Sequence, residues 1–412
     1  MTDHRRAQWI YLLMAFADGV VGKVTFTMSA IYRVDVVGLD VLQLVLLGTV
    51  LETAVFLFEI PTGVIADVYS RRLSVIIGIG VMGVGFILEG VFPVFISVLV
   101  AQVVWGIGWT FVSGARSAWI TDEVGLERAG KLFLIDRQVL QVGSLIGIAL
   151  AVPLANLSLR MPYFIGGGLF LLMTLILTAF MPETGFQPRP KEERQGWRDM
   201  LDTMQDGVTM VRSRTALLWY ALIALFVGLY SEGWDRLKEP QLLTNHTFPD
   251  LFGISMGAIE WFAVLSITSN LLSIGANQIA RRRMDTGNTR VLARALQTLY
   301  LIMVISMAGF SLSKSFWLAI GFMLGFDMLR EVIRPLTLAF VNHYVDSKVR
   351  ATVLSMAGQI DALGQLSGGP VIGFVGRMTS IPVAIITSAA ILFPTVPLFG
   401  LLLRSDKKED NG

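Results

Sequence analysis

The sequence FEIPTGVIADVYSRRLSVIIGIGVMGVGFILEG, Phe58–Gly90, contains the pattern that decides the fold. A polar turn with two arginines separates two apolar runs, which extend over residues 41–65 and 73–90. Each run has about the 20 residues that a helix needs to cross a bilayer. A short basic turn between two such runs predicts a pair of antiparallel membrane-spanning helices.

The rest of the chain repeats this pattern. Further apolar runs lie at 9–31, 94–117, 132–156, 162–181, 215–236, 253–279, 291–311, 315–341, 351–375 and 382–403. Of the 412 residues, 54% are hydrophobic and 16% are charged, whereas soluble proteins carry about 25% charged residues. We therefore predict an all-α membrane protein with twelve transmembrane helices. Long continuous runs argue against a β-barrel, whose strands show short alternating segments.

The longest polar stretch, residues 182–214, divides these runs into two sets of six. We predict an N-terminal six-helix bundle over 1–181, a cytoplasmic linker over 182–214 and a C-terminal six-helix bundle with a short tail over 215–412. Within the linker, 197–214 could form a surface helix. The two halves share local patterns, including a glycine-rich helix after the fourth and the tenth span. Weak internal symmetry of this kind is typical of secondary transporters built from pseudo-symmetric repeats.

Basic residues predict the orientation. Loops on the side of the N-terminus hold 21 Lys and Arg residues, whereas the opposite loops hold six. These six are Arg33, Arg160, Arg236, Lys238, Lys314 and Arg377. The positive-inside rule then places both termini in the cytoplasm, and we expect a multi-pass protein of the bacterial inner membrane. The first run contains Asp18 and Lys23, so it is interpreted as a retained helix and not as a signal peptide.

Composition limits the partners and the chemistry. Lys and Arg total 33 and Asp and Glu total 31, so no strong field predicts a nucleic-acid partner. Cysteine is absent and the three histidines fall in predicted tails or loops. We therefore expect no enzyme, no catalytic residue, no metal site and no cofactor. The expected partners are a small-molecule substrate, protons and the lipid bilayer, and we expect a monomer.

Charged residues inside the predicted spans are the candidate functional residues, because such residues are costly in a membrane and usually face a cavity or a partner. Every third helix is nearly free of charge and is expected to face lipid. The candidates for proton coupling or substrate binding are Asp18, Lys23, Glu52, Glu59, Asp136, Glu232, Asp235, Asp327, Glu331 and Asp361. At about 1.5 Å per residue, five of them lie near the midplane: Asp18, Lys23, Glu52, Asp327 and Asp361.

Structural ion pairs are the alternative interpretation of these charges. Lys23 could pair with Asp18 or Asp361, and Arg116 could form a salt bridge with Asp136. In the tenth helix, a stripe with two acids and two bases is expected to be partly self-neutralising. It consists of Asp327, Arg330, Glu331 and Arg334. Trp105, Trp109 and Trp234 could form an apolar binding wall, although packing or interface anchoring would also explain Trp234.

Acids near the midplane of the membrane suggest a mechanism for coupling transport to protons. A carboxylate in a dry cavity can bind a proton from one side of the membrane and release it to the other. A cationic substrate would displace that proton, and the exchange would be antiport. We favour Asp18, Glu52, Asp327 and Asp361 for coupling or cation recognition.

The turn GVIADVYSRRLSV, Gly63–Val75, resembles the signature loop G-x-L-A-D-r-x-G-r-k of the major facilitator superfamily. The matching residues are Gly63, Ala66, Asp67, Arg71 and Arg72, whereas Val68 and Ser70 depart from the pattern. The resemblance implies a gating link in which Asp67 caps a helix end of the other half and connects to Arg71 and Asp122. The superfamily resemblance covers essentially the whole chain.

Three shorter strings resemble bacterial drug exporters of the tetracycline and macrolide efflux type. They are FEIPTGVIAD (Phe58–Asp67), SGARSAWITDE (Ser113–Glu123) and SEGWDRL (Ser231–Leu237). This resemblance implies proton-coupled export of hydrophobic or cationic small molecules by alternating access. Gln102 stands where many proton antiporters have arginine, and the Gly-Pro motif of the fifth helix is only partial; both departures concern proton coupling.

Two other functions of the same fold remain open. A lipid or lipid-linked flippase would have a largely apolar cavity, and a proton-coupled nutrient symporter would have a polar cavity rich in Asn, Gln and Arg. The acidic and apolar midplane favours the exporter over the symporter.

Overall fold

The computed structural model describes residues 3–188, 215–283, 289–344 and 350–409. Within these ranges the chain forms twelve helices, labelled α1–α12 in chain order, and the only β-pairing is a single bridge between Leu251 and Ile254. The predicted all-helical fold with twelve helices is therefore confirmed. The surface helix predicted over 197–214 lies outside the described residues.

The helix bounds follow the apolar runs closely. The first six are α1 (Asp3–Val36), α2 (Val41–Val68), α3 (Arg71–Val91), α4 (Phe95–Val124), α5 (Leu126–Leu157) and α6 (Met161–Phe180). The next are α7 (Thr215–Asn245), α8 (Ala258–Arg283), α9 (Thr289–Leu312), α10 (Phe316–Tyr344), α11 (Arg350–Met378) and α12, which consists of Ile381–Leu392 and Thr395–Glu409. Among the described residues, ten helices are long and apolar enough to cross a membrane, and α10 and α11 are not in that group.

Two helices of the first half are interrupted. α1 has a turn at Thr27 and Met28 and ends in a π-helical turn, Tyr32–Val36, while α4 is broken at Gly114. Irregular backbone at membrane depth is tolerated where it is buried in protein or lines a cavity. Gly125 alone joins α4 to α5, and its φ of +83° is a conformation that glycine adopts without strain.

Four basic residues that the sequence assigned to the loops opposite the N-terminus lie in helices, and one of them is Arg377 in the last turn of α11. Arg33 is part of the π-helical turn and is only 5% exposed. Helix α7 extends to Asn245, beyond the predicted end at 236, so it contains Arg236 and Lys238. The orientation itself stays a prediction.

The chain divides into two compact units. The first contains α1, most of α2, α3–α6 and the beginning of α8; the second contains the beginning of α2, α7, most of α8 and α9–α12. In the first unit α1 packs on α5 and α6, and α3 packs on α4 and α6. In the second unit α7 packs on α11 and α12, and α9 packs on α10 and α12. The helix pairing within α1–α6 is thus repeated within α7–α12.

Glycines allow the closest helix crossings within each unit. A Cβ on Gly143 of α5 would collide with the carbonyl oxygen of Phe16, and one on Gly147 would collide with the next turn of α1. In α11, a Cβ on Gly364 or Gly368 would collide with the backbone of α7. Small residues let the backbones of membrane helices approach, and van der Waals packing then drives association.

Gly143→Val should lower the stability of the folded protein, because the branched side chain would force α1 and α5 apart at a backbone contact. Overpacking of this kind costs roughly 2 kcal/mol. The measurement is the apparent melting temperature and the monodisperse fraction in detergent. Gly168→Val in α6 is the matched control, because a Cβ there meets no atom within 4 Å. Equal stability of the two variants would show that this crossing does not need glycine.

Candidate functional site

Carboxylates from two helices of the first unit meet at Arg116, which follows the break of α4 at Gly114. Arg116 Nη1 donates to the carboxylate of Asp18 in α1, and Nη2 donates to Asp136 Oδ1 in α5 at 2.6 Å. Nη2 also donates to the carbonyl oxygen of Tyr11 at 3.3 Å, and the guanidinium lies 4.8 Å from the centroid of the Tyr11 ring. The salt bridge considered for Arg116 and Asp136 is formed, and Asp18 joins it.

The formal charge of this cluster does not balance. Two carboxylates and one guanidinium leave one negative charge in excess. The side chains are partly accessible, at 29% for Asp18, 17% for Asp136 and 14% for Arg116. A net charge inside a membrane is costly unless it is compensated, so the arrangement suits a proton or a cation. Lys23, the other partner considered for Asp18, is half-buried on the same helix.

Aromatic rings form a wall in the same unit. Trp105 and Trp109 are stacked with centroids 5.8 Å apart and an interplanar angle of 5°. Phe26 meets Trp105 edge to face at 5.9 Å, and Phe86 lies 6.3 Å from Trp105. Trp109 is 44% exposed and Phe26 is 40% exposed, so the wall presents an open apolar surface.

One face of α1 links the charged cluster to the aromatic wall, since Asp18, Gly22 and Phe26 are spaced four residues apart. Trp109 precedes Arg116 by seven residues, about two turns of α4, and Phe26 follows Asp18 by eight residues of α1. Between Asp18 and Phe26, a Cβ on Gly22 would meet no atom within 4 Å. An open strip about 12 Å long, at 1.5 Å per residue, therefore connects the acid to the aromatic rings.

Trp234 has a different environment. Its side chain is fully buried in the second unit, with the rings of Phe326 and Phe310 at 4.1 and 5.3 Å. Its Nε1 donates to Asp327 Oδ1 at 3.3 Å. The proposed role of Trp234 in a cavity wall is not supported by this position, because the ring belongs to the core and has no surface to offer a substrate.

Two ion pairs connect α7 to α10 in the second unit. Lys238 Nζ donates to both carboxylate oxygens of Asp327, at 3.1 and 3.2 Å. Arg330 donates both Nη groups to Asp235, at 2.5 and 2.9 Å. The stripe on α10 was expected to be partly self-neutralising, but Asp327 and Arg330 are each neutralised by α7. Asp327 therefore has a counter-charge and a buried indole donor, as a structural residue would.

The acid of α11 has a different set of contacts. Asp361 accepts a hydrogen bond from Gln365 Nε2 at 2.8 Å and forms no ion pair within the described ranges. Glu331 and Arg334 are exposed, and neither is in an ion pair with another residue that the structure describes. Asp361 is thus the partly buried acid of the second unit that lacks a counter-charge.

The remaining candidates are distributed along α2 and α7. Glu232 pairs with Arg236 one turn later at 3.1 Å and is nearly buried. Glu52 is half-buried and Glu59 is exposed, and they lie two turns apart on α2. Glu52 and Glu59 belong to the first unit, and Glu232 belongs to the second.

In the signature loop, Arg71 contacts Asp67 and Asp122, the two acids that the resemblance assigns to a gating link. Arg71 Nη1 donates to Asp122 and, at 3.2 Å, to the carbonyl oxygen of Ala118, while Nη2 lies 3.4 Å from Asp67 Oδ1. Arg72 Nη2 donates to the carbonyl oxygen of Thr178 at 2.6 Å. A Cβ on Gly63 would meet no atom within 4 Å.

One buried polar network was not predicted. Arg33 Nε donates to Glu89 Oε1 at 2.9 Å, Gln102 Nε2 donates to Glu89 Oε2 at 2.9 Å, and Tyr32 donates to the Glu89 carbonyl oxygen at 2.5 Å. Glu89 is 2% exposed. Helix α3 was expected to face lipid, yet this acid points into the first unit. The signal available in the sequence was Gln102, a polar residue in the middle of an apolar run.

Within the described residues, no group of three His, Cys, Asp or Glu side chains has the geometry of a metal site. The charged clusters are ion pairs and hydrogen bonds, so the chemistry they offer is the binding of protons, cations and polar groups.

The family model of the Major Facilitator Superfamily matches residues 9–368. The chain belongs to this superfamily. It is an integral membrane protein with several membrane-spanning helices, and its superfamily consists of transporters. A relative in Bacillus subtilis (strain 168), described as an uncharacterized MFS-type transporter YxaM, is 20% identical over 367 residues, which are 88% of each chain.

Solved structures of two other transporters show the same fold. The nucleoside transporter NupG has a TM-score of 0.71 and 15% identity, with 98% of this chain and 99% of that chain covered. A bacterial homologue of the human lysosomal transporter Spinster, in an inward-facing and unoccupied conformation, has a TM-score of 0.74 and 16% identity over 99% and 98% of the two chains. At these identities the likeness shows the fold alone.

The Lys238–Asp327 pair should be structural. Asp327→Asn would remove the carboxylate that accepts from the largely buried Lys238 ammonium, and breaking a fully buried pair costs about 3–5 kcal/mol, which is an upper bound here. We expect the apparent melting temperature in detergent to fall for Asp327→Asn and to recover in the double variant Asp327→Asn/Lys238→Gln, which removes both charges.

The matched control is the exposed pair of Glu127 and Lys131, with side chains 87% and 73% accessible. Glu127→Gln should change stability little, since surface ion pairs contribute about 0–1 kcal/mol. If Asp327→Asn is as stable as Glu127→Gln, the pair is not structural and Asp327 returns to the list of coupling candidates.

Proposed function

We propose that the protein is a secondary active transporter that exports hydrophobic or cationic small molecules, including drugs, in exchange for protons by alternating access. The observation that carries the proposal is the excess negative charge of the Asp18–Arg116–Asp136 cluster. The strings that resemble drug exporters support it, since Arg116 lies within one of them.

Competition for one negative charge would couple the two fluxes. A proton on Asp18 or Asp136 brings the cluster to zero net charge, and so does a bound cation. Binding both would leave a net positive charge in the membrane interior, which is costly. Proton and cation should therefore replace one another, and this exclusion is the physical requirement for antiport.

The aromatic wall supports a substrate with an apolar or aromatic body. The exposed face of Trp109 can stack on a flat ring, and indole rings also attract cations through their π-electrons, by roughly 0.5–2 kcal/mol. The strip from Asp18 to Phe26 allows a molecule about 12 Å long to contact acid and rings together. Asp361 is the second proton-carrier candidate, because it lacks a counter-charge within the described residues.

The finer architecture belongs to the same proposal. The repeated helix pairing supports two six-helix halves, 1–181 and 215–412, joined by the segment 182–214. The basic excess on the side of the N-terminus supports cytoplasmic termini. We further propose a monomer in the bacterial inner membrane.

Proton-coupled uptake of a polar nutrient is the second candidate. The observation in its favour is the partly exposed Arg330–Asp235 pair, with side chains 40% and 34% accessible. An adjacent guanidinium and carboxylate can bind the two ends of a zwitterion. A lipid flippase has no comparable feature in its favour among the described side chains.

Asp18→Asn should abolish the coupling of protons to transport. The variant leaves Arg116 and Asp136 as a neutral pair that binds neither a proton nor a cation. In liposomes with an imposed pH gradient, we expect gradient-driven ethidium accumulation to fall by roughly tenfold or more, the effect of losing one buried charge contact. Glu127→Gln is the matched control and should transport like the parent protein.

Full pH-driven accumulation by Asp18→Asn would refute the role of the cluster. If the parent protein accumulates a dipeptide or a nucleoside along the proton gradient and does not transport ethidium, the symporter is the correct function.

Trp109→Ala should weaken binding of an aromatic cation without changing the coupling. Loss of one stacked ring is worth roughly 1 kcal/mol, so the KM for ethidium should rise about fivefold while kcat stays within twofold. Trp9→Ala is the matched control, since Trp9 is 69% exposed on α1 and has no place in the wall. A similar change in both variants would exclude a specific contact at Trp109.

A further inference from the structure

Residues Met181–Phe186, called the strap below, leave the end of α6 and bind the ends of α3 and α4. The sequence predicted a solvated linker from residue 182. In the structure the first residues of that segment are instead hydrogen-bonded to the signature loop and its surroundings, all within the first unit. The strap therefore has a defined position.

Glu183 binds the beginning of α3. Its Oε2 accepts from Ser70 Oγ at 2.6 Å, and its Oε1 accepts from the backbone N–H of Arg72 at 2.9 Å. Ser70 Oγ in turn caps the helix by accepting from the Leu73 N–H at 2.9 Å. A carboxylate at a helix N-terminus is stabilised by the free N–H groups and the helix dipole.

The end of α4 binds the strap on the other side. Glu123 is 1% exposed, and its carboxylate accepts from the backbone N–H of Thr184 at 2.6 Å, from Thr184 Oγ1 at 2.8 Å and from the N–H of Gly185 at 2.8 Å. Trp119 Nε1 donates to the Pro182 carbonyl oxygen at 2.7 Å. A buried carboxylate with three donors fixes the backbone that supplies them.

The strap touches both members of the gating pair. A Cβ on Gly185 would collide with the backbone of Asp122, so the strap lies directly against the residue that binds Arg71. The ring of Phe186 lies 5.9 Å from the Arg71 guanidinium, within range of a cation–π contact. Arg71 is thus held between Asp122 and Phe186.

We propose that the strap is a positioning element for the Arg71–Asp122 pair, with Glu183, Thr184 and Gly185 as its positioning residues. The inference rests on the proposed function, in which the pair would have the gating role that the signature-loop resemblance implies. Glu183 fixes the strap to the beginning of α3, whose first residue is Arg71, and Glu123 fixes it to α4, which carries Asp122. A movement of α3 away from α4 that separates the pair would therefore also strain these two attachments.

The chain contains no cysteine, so a single introduced cysteine reports on the strap alone. Gln187→Cys carries the label, because Gln187 is exposed and directly follows the strap. A nitroxide at this position should be immobilised in the otherwise unchanged protein. Glu183→Ala should increase its mobility, and Glu127→Ala, which removes a carboxylate from an exposed pair, should not.

The first readout is the kinetics of transport, which a purely structural attachment would not change. In ethidium transport, we expect Glu183→Ala to lower kcat by roughly tenfold and to keep KM within twofold, because gating changes and the binding wall does not. Thr184→Val is the milder variant if Glu183→Ala does not fold, since it deletes one hydroxyl and keeps the shape. A mobile label with unchanged kcat would refute the proposal.

The second readout needs no substrate. If the strap positions the pair, breaking the pair must loosen the strap by the same coupling. Asp122→Asn should therefore increase the mobility of the nitroxide at position 187. An unchanged nitroxide spectrum in Asp122→Asn would refute the proposal, whatever the transport activity. Absence of ethidium transport in the parent protein would instead refute the proposed function, and the nitroxide measurement would still test the strap.

Discussion

The backbone contact between α1 and α5 is the constraint on which the candidate site depends. Gly143 and Gly147 let α5 lie against the turns of α1 at Phe16 and Val20, and Asp18 lies between those two turns. Asp136 precedes Gly143 by seven residues, about two turns. The crossing therefore fixes the distance between two carboxylates before any salt bridge forms, and Arg116 of α4 can reach both. The same device recurs between α7 and α11, where a Cβ on Gly228 would collide with the backbone of Asp361.

The two units use their charges differently. In the second unit, Asp327 and Asp235 each face one base of a neighbouring helix, and such balanced pairs hold α7 to α10. In the first unit, one base faces two acids and one charge remains uncompensated. A balanced pair has no need of a proton or a cation, whereas an unbalanced cluster does. The binding of a proton or a cation thus depends on the balance of neighbouring charges and not on the number of charges in the membrane.

The signature loop acquires its surroundings from distant parts of the chain. Arg71 contacts Asp67 one turn earlier, but its closer partner Asp122 comes from the end of α4, and the strap from the end of α6. Three segments far apart in sequence therefore meet at one guanidinium. A single contact would allow the loop to move freely, while attachment to two helix ends ties its position to the packing of α3, α4 and α6.

The sequence by itself determined the number, type and approximate bounds of the helices, because a bilayer requires about 20 apolar residues for each crossing. It also determined the signature loop and the presence of Asp18, Arg116, Asp136 and Asp361, since charged residues are conspicuous in apolar runs. The sequence anticipated the Arg116–Asp136 and Arg71–Asp122 pairs. The other partners were decided by tertiary structure, because they come from different helices and depend on the rotation and crossing of those helices. Asp327 thus became one half of a pair with Lys238, Glu89 a buried partner of Arg33, and the first residues of a polar linker a fixed strap.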